Sequence, residues 1–405
     1  MTSRILQHGP APASDQRNVP GAVVIGGDYQ GLGITRSLGR RGVPVCVIDD
    51  EHSISQFSKY CVHSVRVRSL RTHDAVCASL LDLKNRLNVS GWVLFPTREE
   101  IVAALSEARD EFACHYRVPT SDWTRIRWAW DKRNTYQLAE TLGIPIPTTF
   151  YPRSVDDLSQ IGSLSYPVAI KPAIKEHFVY ATRAKAWSAA DPEELRRLCQ
   201  KAIDIVGPGE VMLQEFIPGG GSRQFAYCAF FRDHEAVGKM VVCRRRQHPY
   251  QFGRASTYVE TIDLPQLEDY SERFLRAIDY YGLVEIEYKF DARDNQYKLL
   301  DVNPRTWGYH SIGSSAGVDF PYMQYADQVG LPVPRCEART GIGWIRMATD
   351  IPASLVAAWA GDLDFREYFR SLSATHAEAV FSREDPLPGI AELFLLPYLA
   401  VKRGF

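Results

Sequence analysis

Apolar and polar positions fall into a series of short runs with two alternating periods. Gly21-Ala-Val-Val-Ile25 is a continuous apolar run of the buried-strand kind. It leads through Gly26-Gly27-Asp28-Tyr29-Gln30-Gly31-Leu32-Gly33 into a helix that lasts to Arg41 and stops at Gly42. Val43–Ile48 follows as a second strand, ending at Asp49. Cys61–Val67, a helix around Thr72–Leu87, the strand Trp92–Phe95 and a further helix opened by Pro96-Thr97-Arg98-Glu99-Glu100 continue the series. Strand, glycine-rich turn, helix and strand in this order predict parallel pairing with right-handed crossovers. Residues 21–120 therefore read as a doubly wound α/β domain behind a loose polar leader, residues 1–20. The glycines depart from strict dinucleotide spacing, which favours a scaffold over a nicotinamide site with Asp49 on a ribose. Thr97 and Arg98 stand just past a strand's carboxyl end, where open sheets bind ligands; an N-cap and an ordinary surface arginine are the plain alternative.

From Ser121 the pattern changes. Asp131–Gly143 reads as a helix, followed by the stiff Ile144-Pro-Ile-Pro147. Tyr166–Lys171 is a strand whose terminal lysine, beside Pro172, requires water or an anion. Ala173–Tyr180 reads as a loop, Ala184–Trp187 as a strand, and a helix starts at Asp191. Val211–Pro218 is a strand broken by Gly219-Gly220-Gly221, and Gln224–Phe231 with Ala236–Arg244 forms a hairpin. Two alternating runs, Leu283–Phe290 and Tyr297–Arg305, carry acidic groups. Period-two alternation puts Asp301 and Asn303 on one strand face, and Glu287 joins them if its strand pairs with the same facing. Three hard oxygen donors suit Mg²⁺, with Mn²⁺ as a substitute, bound together with phosphates. Arg305, one alternation further, would reach a phosphate or carboxylate. A solvated hairpin edge is the plain alternative. In Arg244-Arg245-Arg246, alternation favours Arg244 or Arg246 over Arg245 for a cleft, with His248 beyond as a base or a turn residue. Trp307 is a pocket wall or a core plug, Tyr309–Ala316 turns into a helix, and residues 341–405 read as a C-terminal helical cover.

Composition narrows the function classes. The 405 residues suggest two to three domains, and 47 basic against 48 acidic side chains leave a net charge of -1. Such a balance advertises no field for nucleic acid or an anionic membrane. No apolar run approaches a spanning helix, and the first residues lack a signal pattern. Eight scattered cysteines without a C-x-x-C pair read as reduced thiols of a cytoplasmic protein.

Taken in order and spacing, four pieces carry a resemblance: Lys132 before its helix, Ile170-Lys171-Pro172, Gln214-Glu215-Phe216-Ile217, and Glu287 with Asp301-Val-Asn303-Pro-Arg305. Residues 131–308 resemble the ATP-grasp superfamily, more narrowly its carboxylate–amine (amino-acid) ligase branch related to D-aspartate ligase. The resemblance implies a two-lobed α+β fold holding ATP and Mg²⁺, with the small lobe over 121–210 and the large lobe over 211–340. It implies that Lys132 and Lys171 hold phosphates. Gln214, Glu215, Phe216 and Ile217 would form the hinge that reads adenine, with the Glu215 side chain on the nucleotide. Glu287, Asp301 and Asn303 would hold the metal, while Arg305, Lys171 and either Arg244 or Arg246 act on the transferred phosphate. Thr97, Arg98, His248, Arg305, Trp307 and Gly308 fall on the substrate side. The ribose-binding carboxylate expected beyond the hinge is replaced by Gly219-Gly220-Gly221-Ser222. The implied reaction joins a small carboxylic acid to an amine, amino acids among them, through an acyl phosphate; separately from the resemblance, a homodimer is a common outcome for soluble enzymes. The rivals are a bicarbonate-dependent or carbamoyl-phosphate-forming enzyme, a nucleotide-binding regulator and a dehydrogenase using the first glycine loop.

Overall fold

The computed structural model describes residues 19–162, 165–248, 255–359 and 363–403. Most of the polar leader, and Pro249–Arg254 of the segment after the three arginines, lie outside the described residues.

The first unit runs β1 (Ala22–Ile25), α1 (Tyr29–Gly39), β2 (Val45–Asp49), β3 (Cys61–Arg66), α2 (His73–Leu87), β4 (Val93–Pro96), α3 (Glu99–Glu107) and α4 (Arg109–Ala113). Its strands are all parallel in the order β3-β2-β1-β4. Alternation sends Val23 and Ile25 into a core with Leu80 of α2 and Ile101 of α3, and Ala22 and Val24 into one with Ile34 and Leu38 of α1. Helices thus cover both faces, as a parallel sheet requires. The dinucleotide reading fails here for a physical reason. The Asp49 carboxylate is taken by the backbone N–H of Gly27 at 2.7 Å and by Arg98 Nη2 at 2.6 Å. Gly26 has φ +99°, and a Cβ there would meet Thr97 Oγ1 at 2.1 Å, so the turn is closed against its own sheet.

The second unit contains α5 (Trp123–Trp130), α6 (Lys132–Thr141), β5 (Thr149–Phe150), β6 (Val168–Pro172), α7 (Lys175–Thr182), β7 (Trp187–Ala189), α8 (Pro192–Val206) and β8 (Val211–Glu215). The strands form a small antiparallel sheet, β5-β8-β6-β7. Val168, Ile170, Val211 and Leu213 point into a core with Leu195 and Cys199 of α8 and Phe178 of α7. Lys171 and Gln214 alternate with these and leave on the opposite face. Residues 175–180, expected as loop, are helical. Of α7's own residues only Phe178 is buried, so its sequence shows no apolar stripe.

The third unit holds β9 (Gln224–Arg232), β10 (Glu235–His248), β11 (Ala255–Ile262), α9 (Pro265–Ala277), β12 (Gly282–Asp291) and β13 (Gln296–Asn303). It continues with α10 (Ile312–Ala316), α11 (Phe320–Gln328), β14 (Cys336–Glu337), β15 (Gly343–Ile345), α12 (Met347–Trp359), α13 (Phe365–Ser373), β16 (Thr375–Glu378) and α14 (Leu387–Arg403). A large sheet runs β13-β12-β9-β10-β11-β15-β16, with β14 beside β10. The C-terminal residues therefore contribute two strands to this sheet in addition to helices. They also return to the first unit. Arg36 Nε donates to Asp385 Oδ2 at 2.9 Å, with both side chains buried, and Ser58 Oγ donates to the same oxygen at 2.7 Å. Arg346 pairs with Glu392 at 2.7 Å, again with both buried. Among the described residues no helix is long and apolar enough to cross a membrane.

Candidate active site

The inner faces of the small and large sheets enclose a cavity of about 350 Å³. The pairing of β12 with β13 builds its acidic wall. Glu285 lies opposite Asn303 and Glu287 opposite Asp301, so period-two alternation puts all four polar side chains on one face. Asn303 Nδ2 donates to Glu285 Oε2 at 3.1 Å and to Glu287 Oε1 at 3.2 Å. Glu285 is a residue that the sequence reading missed, although it stands one alternation before Glu287. Burial and the neighbouring Glu287 charge push its carboxyl up to about 7, while Tyr309 donates a hydrogen bond to it. For Glu287, burial acts upward but Arg244 and Lys185 outweigh it, holding the carboxyl below its ordinary value. Two crowded carboxylates beside an amide and Asp301 are a hard-oxygen set short of positive charge, which fits a divalent cation.

Cations face this wall. Lys132, at the first position of α6, donates to Asp301 Oδ1 at 2.6 Å. Lys171 donates to Gln214 Oε1 at 2.7 Å; burial and the charge of Lys132 lower its pKa to about 8. Arg244 Nη2 lies 3.3 Å from Glu287 Oε2, and its Nη1 donates to Gln224. Arg305 donates to Glu99 of α3 and, at 3.4 Å, to Asn303 Oδ1. Lys175 and Lys185 also line the cavity; neither was anticipated, because Lys175 sits in the unexpected helix and Lys185 in a run expected as strand, which begins only at Trp187. Burial, then Lys175, lowers Lys185 to about 8.

Phe216 and Ile217 supply the apolar end, with Lys289 Nζ 5.3 Å from the Phe216 ring centre. The two preceding hinge side chains do other work. Gln214 is buried and its amide nitrogen donates to Tyr136 Oη and Thr149 Oγ1, each at 3.0 Å, so it orients Lys171. The Glu215 carboxylate accepts from Lys298 at 2.9 Å, Arg293 at 2.7 Å and the Thr148 N–H at 2.9 Å. Glu215 lines the cavity, with three donors fixing the orientation of its carboxylate.

Other candidates stand elsewhere. Register shifts at Arg244/Arg246 and Arg246/Gln247 break the alternation of β10, and Arg246 turns to the fully buried Asp350 at 2.9 Å and to Ser371. It does not line the cavity. His248 closes β10 opposite Ala255 and does not line it either. Trp307 is fully buried in the core with Phe320, so it is a plug rather than a pocket wall. Gly308 packs under Tyr29, whose hydroxyl would lie 2.6 Å from an added Cβ. Thr97 and Arg98 border a separate cavity of about 120 Å³ at the carboxyl edge of the first sheet. There Arg98 is held by Asp49 and Asp50, at 2.6 and 2.7 Å, and Thr97 Oγ1 donates to Ile25 O.

With this geometry in place, comparison with known proteins is informative. Residues 131–333, half of the chain, match the family model described as carbamoyl-phosphate synthase L chain, ATP binding domain. The chain belongs to this ATP-grasp family. It is 24% identical over 303 residues to the D-aspartate ligase of Enterococcus faecium, a match covering 70% of each chain. It is 20% identical over 324 residues to the carbamoyl phosphate synthase large chain of Methanosphaerula palustris, covering 78% of this chain but only 28% of that one. Among solved structures, biotin carboxylase from Campylobacter jejuni superposes with a TM-score of 0.61 at 15% identity, over 77% of this chain and 72% of the other. The L-amino acid ligase from Bacillus licheniformis gives 0.56 at 14%, over 78% and 75%. These likenesses establish the ATP-grasp fold, with the cavity between its two lobes. The shared class is that of ATP-dependent ligases and carboxylases.

Proposed function

We propose that the protein is an ATP-dependent ligase that joins a carboxylic acid to an amine, amino acids being the substrate class, through an acyl phosphate. One observation carries this reading. Seven cationic side chains and three carboxylates line the cavity, yet among the described residues its lining includes no Ser, Thr or Cys. Such a site suits a polyanion such as ATP and offers no hydroxyl or thiol nucleophile, which favours an attacking oxygen supplied by a substrate. The D-aspartate ligase match, spread over 70% of both chains, favours a carboxylate and an amine.

In this account Lys132 and Lys171 bind the polyphosphate and the hinge at Phe216 and Ile217 takes the base. Glu285, Glu287, Asp301 and Asn303 would hold Mg²⁺, which supplies charge neutralisation for the phosphates. The substrate carboxylate attacks the terminal phosphorus, giving ADP and an acyl phosphate. The neutral amine then attacks the carbonyl carbon and expels phosphate, and a phosphate oxygen accepts its proton. Arg305 and Arg244 orient and neutralise the transferred group. Holding both reactants together and excluding water supplies much of the rate.

A second reading, a bicarbonate-dependent enzyme, is favoured by the carbamoyl-phosphate synthase family model and by the biotin carboxylase fold match. One experiment separates the two: ADP and phosphate release with Mg²⁺–ATP across pooled acids and amines, with product masses and an Asp301→Asn control. Release that needs both an acid and an amine and yields their dehydrated adduct supports the ligase. Turnover with bicarbonate alone replaces it with the second reading.

A further inference from the structure

Glu99 opens α3 in the first unit, yet its carboxylate is bonded to both lobes of the grasp. Arg305 of the large lobe donates to its Oε1, and Lys175 of the small lobe lies 3.0 Å from the same oxygen. All three side chains are largely shielded, with 15%, 11% and 26% relative exposure. Arg305 and Lys175 line the ATP cavity; Glu99 does not, so it holds both cations from behind. Burial acts to raise its carboxyl, but Arg305 and then Lys175 outweigh this and keep it well below the usual carboxylate range. The charge is therefore permanent at neutral pH.

Two further contacts tie α7, the helix that Lys175 opens, to the first unit. Tyr180 Oη donates to Glu100 Oε1 at 2.5 Å, and the Arg71 guanidinium lies 4.9 Å from the Tyr180 ring centre. Helix α7 otherwise has a single buried residue, Phe178, to hold it to its own sheet. Few apolar contacts mean that local opening of α7 is inexpensive, and the polar contacts to α3 decide how often it occurs.

We propose that Glu99 is a positioning residue. Through one carboxylate it joins the docking of α7 on the first unit to the placement of Arg305 at the transferred phosphate, so the arginine is set only when the small lobe is closed. The link to catalysis rests on the ligase reading above; the link to closure does not. Charge-assisted bonds to two largely shielded cations give this coupling its strength and direction.

The test is Glu99→Gln, with Glu99→Asp as the conservative variant, in the wild-type and Arg305→Ala backgrounds. Hydrogen exchange across residues 175–182 is read with and without Mg²⁺–ATP, kcat and KM from ADP release, and active fraction from calorimetric ATP stoichiometry. The expected result is at least tenfold faster exchange in Glu99→Gln at unchanged stoichiometry. With it go a tenfold or greater loss of kcat in the wild-type background, under twofold in the Arg305→Ala background, and partial recovery in Glu99→Asp. Unchanged exchange, or an equal kcat loss in both backgrounds, overturns the proposal. If Glu99→Gln loses its ATP stoichiometry, Glu99→Asp decides by the same exchange criterion. Should no acid–amine pair turn over in the wild type, the ligase reading fails by itself and the exchange result still decides whether Glu99 holds α7.

Discussion

Lys171 ends β6 with its ammonium on the Gln214 amide oxygen, and burial with Lys132 nearby lowers its pKa to about 8. A bound phosphate favours the charged form and raises that value, so binding takes up a proton near pH 8. ATP affinity is then fully present below pH 8 and falls as pH rises through it, by up to about tenfold per unit for one linked proton. Calorimetry between pH 7 and 9 in buffers of different ionisation enthalpy reads this directly, and Lys171→Met flattens the slope. Gln214→Leu removes the amide that accepts from Lys171 Nζ and the bond that Tyr136 Oη accepts, while Tyr136 still donates to Leu300 O, and a loss of about 1–3 kcal/mol is expected in thermal unfolding. The placement of Lys171, Glu287, Asp301, Asn303 and Arg305 at the cavity is legible in the sequence because each ends or punctuates an apolar strand, and that of Lys132 because it opens a helix behind Asp131. Glu285 was legible too, by alternation, but a carboxylate nearer the core invites the assumption that it is structural. The side chain of Gln214 was not legible: whether an amide faces adenine or a lysine depends on a neighbouring strand.

The three arginines of β10 show where element-level reasoning stops. Strict alternation predicts that Arg244 and Arg246 share a face, and the irregularity between them sends one to Glu287 and the other to Asp350. A bulge changes facing without leaving a sequence mark of its own when no glycine is used. Arg246→Ala strands the fully buried Asp350, and a loss of about 3–5 kcal/mol is expected, visible in denaturant unfolding, with ATP affinity per folded molecule unchanged. Arg244→Ala has the opposite profile: stability nearly held, and kcat for ADP release down by about 100-fold or more. Strands β1, β2 and β4 of the first unit were legible because buried parallel strands read as apolar runs. Helix α7 was not, since a helix with one buried residue has no period to detect.

At the scale of the molecule, the first unit and the large sheet are joined through His310. Its Nε2 lies 2.9 Å from Gln30 O at the start of α1, and burial lowers its pKa to about 4. The unfolded chain, with an ordinary histidine value of about 6.5, binds more protons between those limits. Stability from this group is therefore complete above pH 6.5 and is lost as pH falls toward 4, by up to about 3 kcal/mol. Thermal midpoints from pH 7.5 to 4.5 should show that loss, and His310→Gln should remove the part of the slope due to this residue. Domain order was legible from the sequence, but this contact was not, because nothing local links residue 310 to residue 30.

The bond between Arg36 and Asp385 spans 349 residues. On a ribosome adding about 5–20 residues per second, Arg36 emerges roughly 20–70 s before the carboxylate that neutralises it. During that interval the first unit holds a guanidinium whose final place is fully enclosed, so α1 must stay open to water or accept a substitute anion. Synthesis from the N-terminus consequently produces a sheet that is paired early and sealed last. Release of residues near 385 becomes the committing event, and a nascent chain stalled before that point should remain open to protease around α1 while β1 and β2 are already protected.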